Sequence, residues 1–412
     1  MARHSPPHVV LLVQQPLAPR DLVRFGISAL LARGYAVSVF DVADMAFPML
    51  TNVREHYRNF SGFDLLVTHT RADLRAAADA MANARLIICH VGAGYVPIRA
   101  WPILRRLSAS LVPYLVAAPS TPSFAESSGA DRAVTKIMGK IINPSTYLDS
   151  LLARLPLQWL GLRPPDFVVV PALSSDLGRP LLSGSSQRIP AHVMDYDLYL
   201  EEMARPPKPE NIAVFIDQNV GFHPDFKSMG MDWFHPGEFY GRLRSFFDRV
   251  ESNLGLEVVV AAHPRADYST MPNLFGARRV VYGQTTSLIR NARLAITCYS
   301  TAVLQAVAFR KHVLLYASRD LMNYPSLASS IRGQARYFGA SLMMIDDGDS
   351  ADISSFVCDT GPIYESCMRD WIRHPEAPEK PYWDIVLDSL VDAGVLPVAS
   401  PRPRASSAQA HS

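Results

Sequence analysis

Short apolar runs separated by stretches with helical spacing dominate this chain, and the alternation stops once and then begins again. His8–Gln15 is a continuous apolar run, Asp21–Arg33 repeats its apolar residues at helical spacing, Gly34 closes that helix, and Ala36–Phe40 is the next run. That is a β-α-β unit. Further runs follow at Phe63–His69, Arg85–Val91, Pro113–Ala117 and Phe167–Pro171. Runs that are apolar throughout, and not at every second residue, belong to strands covered on both faces, as parallel strands are. Between Arg205 and Glu210 the chain reads RPPKPE, and three prolines in six residues make a stiff, non-helical connection, the expected hinge.

Past that segment the same alternation returns. Strands are expected at Ile212–Asp217, Leu256–Ala262, Arg279–Tyr282, Leu294–Cys298 and His312–Tyr316, with helices at Pro236–Asn253, Ser287–Ala292 and Thr301–Phe309. Helical segments near Ile363–Arg373 and Asp384–Ala393 finish the pattern. The expected fold is α/β, two Rossmann-like domains facing a cleft. The first spans 1–205 and the second 206–395, while 396–412, rich in Pro, Ser and Ala, is expected to be a disordered tail. The length of 412 residues agrees, being too great for one ordinary core.

Charge narrows the function. With 40 basic and 38 acidic residues dispersed along the chain, the net charge is +2, which leaves no broad electrostatic footprint for a nucleic acid. Cys89, Cys298, Cys358 and Cys367 occur singly, so no C-x-x-C pair suggests zinc or redox chemistry. They read as thiols in a reducing compartment. The start, MARHSPPHVVLLVQQP, has an apolar run too short for a signal-peptide core, and no apolar stretch is long enough to span a bilayer. The expected location is the cytoplasm, with peripheral attachment to the inner face of a membrane left open.

Ligands of open α/β sheets sit beyond the carboxyl ends of the strands, so the residues at which the second-domain strands stop are the informative ones. Asp217 ends IAVFID, His263-Pro264-Arg265 ends LEVVVAAHPR, and Tyr299-Ser300-Thr301 ends RLAITCYST just before a helix. Ser300 or Thr301 in that place suits an N-cap, and the amides and positive dipole end of the helix suit a phosphate. His263 can donate to the same anion, Pro264 fixes the exit of the chain, and Arg265 adds a charged donor. Each feature taken alone is as readily a cap or an exposed loop residue. Together they converge on one rim.

The segments AAHPR and FGARRVVYGQTTSLIRNARLAITCYSTAVLQAVAFRKHVLLY resemble the donor half of bacterial GT-B glycosyltransferases, most of all the sialyltransferase and capsule Kdo-transferase groups. Those groups carry a His-Pro motif and a later Ser-Ser or Ser-Thr motif; CDP-glycerol-type polymerases share the layout. The resemblance covers roughly 212–316 and implies that His263, Ser300 and Thr301 contact the phosphate of a CMP-activated acidic sugar. In the sialyltransferase families an acidic motif supplying the base precedes His-Pro. Here the literal match, Asp346-Asp347-Gly348, follows both motifs and reads as a solvated loop. Gln305, where UDP-sugar enzymes place a ribose-binding Glu, favours a donor other than a UDP-sugar.

Base candidates therefore come from position: Asp217 first, then Asp197, with Asp195 beside it in IPAHVMDYDLYLEE. A carboxylate between apolar walls has the raised pKa a general base needs, although Asp195 and Asp197 equally suit the capping of a helix. Gly92-Ala93-Gly94 reads as a turn and His223-Pro224 as structural, while Arg278 and Arg279 either line the nucleotide rim or are solvated. No convincing Asp-x-Asp follows a strand, so neither a metal nor another cofactor is expected. The expected activity is an inverting, metal-independent transfer of sugar from a nucleotide-sugar donor to a surface-glycan or flagellin-type acceptor. The alternatives are a non-hydrolysing UDP-sugar epimerase, a CDP-glycerol-type phosphotransferase, and a nucleotide-sugar-binding module without activity.

Overall fold

A computed structural model describes residues 6–46, 60–91, 100–120, 155, 157–175, 186–222, 235–264, 266–271, 273–347, 352–358 and 361–398. Two parallel sheets organise them. In the first, β1 (His8–Val13), β2 (Ala36–Asp41), β3 (Asp64–Val67), β4 (Leu86–Cys89), β5 (Tyr114–Ala117), β6 (Phe167–Val170) and β7 (Gln187–Pro190) lie in the order β3-β2-β1-β4-β5-β6-β7. All six pairings are parallel. The fold class is thus α/β, with the doubly wound strand order of Rossmann-like domains.

The apolar runs are explained by burial on both faces. In β1, Val9, Leu11 and Val13 join one core while Val10 and Leu12 join another on the opposite side. Helices Arg71–Ala82 and Trp101–Ala109 cover the second face through Leu74, Met81, Ile103 and Leu107. Thr70 caps the first of them in a reciprocal capping box with Asp73. The first face is covered by Phe25, Ile27 and Leu30 and by the helix Tyr382–Asp392, which buries Tyr382, Trp383, Ile385, Val386, Leu387 and Leu390.

That last helix shifts the expected domain boundary. The chain divides into one unit of 1–120, 133–194 and 373–412, and a second of 121–132 and 195–372. Residues 373–395, expected in the second domain, belong to the first, because their apolar face completes the core over β1, β2 and β4. The crossing at 194 and the return at 373 run side by side, joined by a bridge between His192 and Arg373. RPPKPE is accordingly not where the chain passes from one unit to the other. It lies within the second unit, where the Lys208 amide donates to Asn291 Oδ1 (2.9 Å) and the Glu210 amide to the Asn291 carbonyl (2.9 Å). Most of the 396–412 tail lies outside the described residues.

The second unit repeats the pattern. Its strands β8 (Ile212–Ile216), β9 (Glu257–Ala261), β10 (Val280–Val281), β11 (Leu294–Thr297), β12 (His312–Ala317) and β13 (Met343–Met344) lie in the order β10-β9-β8-β11-β12-β13. A short β14 (Val357–Cys358) runs antiparallel to β12. Helix Pro236–Leu254 lays Phe239, Leu243, Phe246, Phe247 and Val250 over Phe215, Val258, Val260 and Tyr316. Helices Thr285–Asn291 and Val303–Ala308 adjoin β8, β11 and β12. The strand order turns back between β8 and β11, and the carboxyl ends of these parallel strands form one rim there.

Candidate functional site

Asp217 follows β8 and is 4% exposed. Its Oδ1 accepts the amide of Asn219 (2.9 Å), and its Oδ2 accepts the amide of His263 (3.0 Å) and the hydroxyl of Tyr268 (2.6 Å). Burial raises its pKa, and these donors pull the other way. The raised pKa suits a base, but the oxygens are turned inward on donors of the fold. Asp217, expected as the catalytic base, is placed here as a carboxylate that fastens the end of β9 to the end of β8.

The neighbouring loops are tied to the same point. Gln218 Oε1 accepts the amide of Tyr299 (3.3 Å), joining the end of β8 to the end of β11. Tyr268 also donates to Asn219 Oδ1 (3.2 Å), and its own amide donates to the hydroxyl of Tyr282 after β10 (3.2 Å). Asn219 has φ 51°, in the left-handed region that Asn tolerates better than most residues, which turns the chain back under the Asp217 carboxylate. Burial raises the Tyr268 hydroxyl pKa far out of the titrating range, so it serves as a donor.

His263 and Ser300-Thr301 thereby flank β8 on either side, two strand spacings or roughly 10 Å apart. His263 is half-buried and Pro264 exposed; Arg265 lies outside the described residues. The start of the helix after β11 differs from the simple cap expected. Its N-cap is Ala302, with no side-chain cap, and Ser300 Oγ accepts the Ala302 amide (3.2 Å). The amides of Val303, Leu304 and Gln305 bond the carbonyls of Ser300, Thr301 and Ala302, a tight first turn that engages donors otherwise open to an anion. Thr301 is exposed at the rim. Fully buried Gln334 donates to the Ser300 carbonyl (3.4 Å), and its Oε1 has no partner among the described residues.

Other candidates stand elsewhere. The helix Tyr196–Met203 that carries Asp197 packs against the far ends of two helices, Tyr199 against Phe309 (4.9 Å) and Glu202 beside Arg290 (4.0 Å). Those ends lead back into β11 and β12, so this helix adjoins the edge opposite the rim, and Asp197 is not brought to His263. Arg278 and Arg279 precede β10 and face that same edge. Arg278 pairs with Asp248 and Glu251 (2.6 Å each) and Arg279 with Glu210 (2.9 Å). Asp346 is no solvated loop residue: its side chain is 7% exposed, pairs with Arg242 (2.9 Å) and accepts the Arg319 amide (2.7 Å). Gly92, Gly94, His223, Pro224 and Gly348 lie outside the described residues.

Reading the sequence missed Gln218, Asn219, Tyr268, Tyr282 and Gln334. Only Asn219 with Gly221 carried a signal, as a turn pair. It also missed His90, at the end of β4 in the first unit. The His90 ring packs on Phe25 (4.5 Å) and near Trp383 (6.4 Å), its Nε2 lacks a partner among the described residues, and burial lowers its pKa to about 4. Among the described residues no three His, Cys, Asp or Glu side chains are grouped to hold a metal ion, and no helix is long and apolar enough to cross a membrane.

No protein-family model matches the chain, and no curated protein matches it. Solved structures resemble it at low identity. The calicheamicin glycosyltransferase CalG4 has 14% identity and TM-score 0.47, covering 94% of this chain and 99% of its own. UDP-GlcNAc 2-epimerase from Methanocaldococcus jannaschii has 10% identity and TM-score 0.45, covering 93% and 99%. The glycosyltransferase SnogD from Streptomyces nogalater has 13% identity and TM-score 0.44, covering 95% and 100%. Likeness at this level extends over 93–95% of this chain and assigns no activity.

Proposed function

We propose that this chain is a GT-B glycosyltransferase that takes a nucleotide-activated sugar, with the donor's phosphate on the rim of the second unit between His263 and Ser300-Thr301. The observation that carries the reading is the convergence of these residues at the point where the strand order turns back, held by Asp217 and Gln218. Ligands of such sheets bind there. As the acceptor hydroxyl attacks the anomeric carbon, the carbon–oxygen bond to the phosphate breaks and negative charge grows on the departing nucleotide. His263 and the Thr301 hydroxyl are the donors for that charge, and fixed loops spare them reorganisation in the transition state.

Asp217 acts on this site through the His263 backbone and so is a positioning residue. Among the described residues the rim carboxylates Asp217 and Asp346 are engaged by donors or an arginine, so neither is assigned the acceptor's proton. The donor we propose is a CMP-activated acidic sugar, on the likeness of AAHPR and CYST to the sialyltransferase and Kdo-transferase motifs. Transfer goes to a glycan or glycoprotein hydroxyl, without a metal or other cofactor, at the cytoplasmic side. Incubation with radiolabelled CMP-, UDP- and GDP-sugars, with and without EDTA, tests this. Turnover of CMP-sugars that EDTA leaves intact is expected. Turnover of UDP-sugars alone sinks the CMP donor, and loss in EDTA sinks the metal-free chemistry.

A further inference from the structure

The edge of the second sheet opposite the rim holds a cavity of about 660 Å³, lined by Arg293, Arg310, Lys311 and His312 together with Glu210 and Asn291. Glu210 is taken by Arg279 (2.9 Å). Among the described residues neither Arg293 nor Lys311 has an ion-pair partner. Arg310 reaches Glu365 at 3.5 Å, but both side chains are about 70% exposed, and such a pair contributes little. Cationic side chains thus outnumber the carboxylates here. Lys311 registers it: burial, and then the neighbouring Arg290, lower its pKa.

The backbone fixes the place of Arg310. Helix Val303–Ala308 ends in a Schellman turn, the Lys311 amide bonding the Ala306 carbonyl (2.8 Å) and the Arg310 amide the Val307 carbonyl (2.9 Å). The residue at the left-handed position of such a turn is most often glycine. Here it is Arg310, at φ 53°. An arginine held in that conformation is strained, and its side chain lines the cavity. We propose that this cavity binds the phosphate group of a phosphorylated ligand, held by Arg293, Arg310 and Lys311. Three cationic donors on one concave surface suit a doubly charged group with three acceptor oxygens, and the planar arginines can engage two of those oxygens at once. The site is separate from the rim and stands whether or not the donor assignment does.

Calorimetric titration of the full chain with inorganic pyrophosphate tests the site, using Arg293→Gln with Lys311→Gln, and Arg310→Gly alone. Wild type should bind, and the double variant about ten-fold or more weakly. Arg310→Gly relieves the backbone strain, so it should raise the Tm by about 2 °C while weakening pyrophosphate binding. Sedimentation with phosphatidic acid vesicles, whose headgroup is a phosphomonoester, against phosphatidylcholine vesicles, identifies the source. Vesicle binding lost in the variants makes the phosphate a lipid headgroup; pyrophosphate binding without vesicle binding makes it a soluble phosphate ester. The proposal fails if wild type binds neither, if the variants bind as wild type does, or if Arg310→Gly is stabilised with affinity unchanged.

Discussion

At Asp217 two backbone amides and a phenol converge on one buried carboxylate, and this geometry decides what its replacement does. Asp217→Asn keeps the shape but sets an amide NH2 or a single carbonyl against donors, so we expect about 2 kcal/mol of lost stability together with weakened donor use. His263→Ala should do the reverse, costing roughly 2 to 4 kcal/mol in the transition state while the Tm barely moves. The pH dependence of Asp217 has a definite sign. Its folded pKa is raised above 3.8, so above that pH the native state retains the proton longer than the unfolded chain does. Its contribution to stability is therefore fullest below 3.8 and is lost as the pH rises through the raised value. Urea midpoints across this range should lose that slope in Asp217→Asn, and an unchanged slope would show that its donors offset the effect of burial. Ser300→Ala with Thr301→Ala separates turn from ligand: loss of the Ala302 contact costs about 1 kcal/mol at most, whereas lost donor groups weaken CMP binding. Stability lowered with CMP affinity intact would leave these residues a turn only.

Among the elements, the Tyr382–Asp392 helix meets the turn between the helices Asp21–Arg24 and Ile27–Ala32 at an unusually close point. Gly26 has φ 78°, and a Cβ there would run into the indole ring of Trp383, whose Nε1 donates to the Arg24 carbonyl (3.0 Å). Gly26→Ala combines a left-handed backbone with overpacking, for an expected loss of about 2 to 4 kcal/mol by chemical denaturation. A wild-type midpoint would contradict the packing. Elements buried on both faces were the legible ones: VVLLV after His8, FVVV and IAVFI are apolar at every position because both sides of the sheet are buried. Strands β13 and β14, two residues each, have no period and exist through pairing with β12. In the site, His263 and Ser300 could be read because strand ends can. The task of Asp217 could not, since a carboxylate after a strand looks the same in sequence whether it meets solvent or donors. Its partner Tyr268 comes from an irregular segment, ADYST, that only the fold-back after β9 brings near.

For the molecule as a whole, the second crossing of the chain matters more than the first. A boundary drawn at the proline-rich segment assigns everything after it to one domain, because sequence order is all that such a reading has. Hydrophobic burial is indifferent to order: the helix Tyr382–Asp392 buries six large side chains on the first core, nearly the whole chain length from β1. At roughly 1.5 to 3 kcal/mol for each buried side chain, an upper bound, that face is worth on the order of 10 kcal/mol, comparable with the net stability of an entire domain. Arg33 adds pairs to Asp384 (2.7 Å) and Asp388 (2.8 Å) across the same contact. A chain cut after residue 372 should therefore leave the first sheet without half of one face while the second sheet keeps its own core. Hydrogen exchange on that truncated chain should show protection lost across β1, β2 and β4 and retained across β8, β9 and β11. Equal protection in both sheets would mean that the last helix covers a core able to stand without it, and that the boundary near 206 describes the folding units after all.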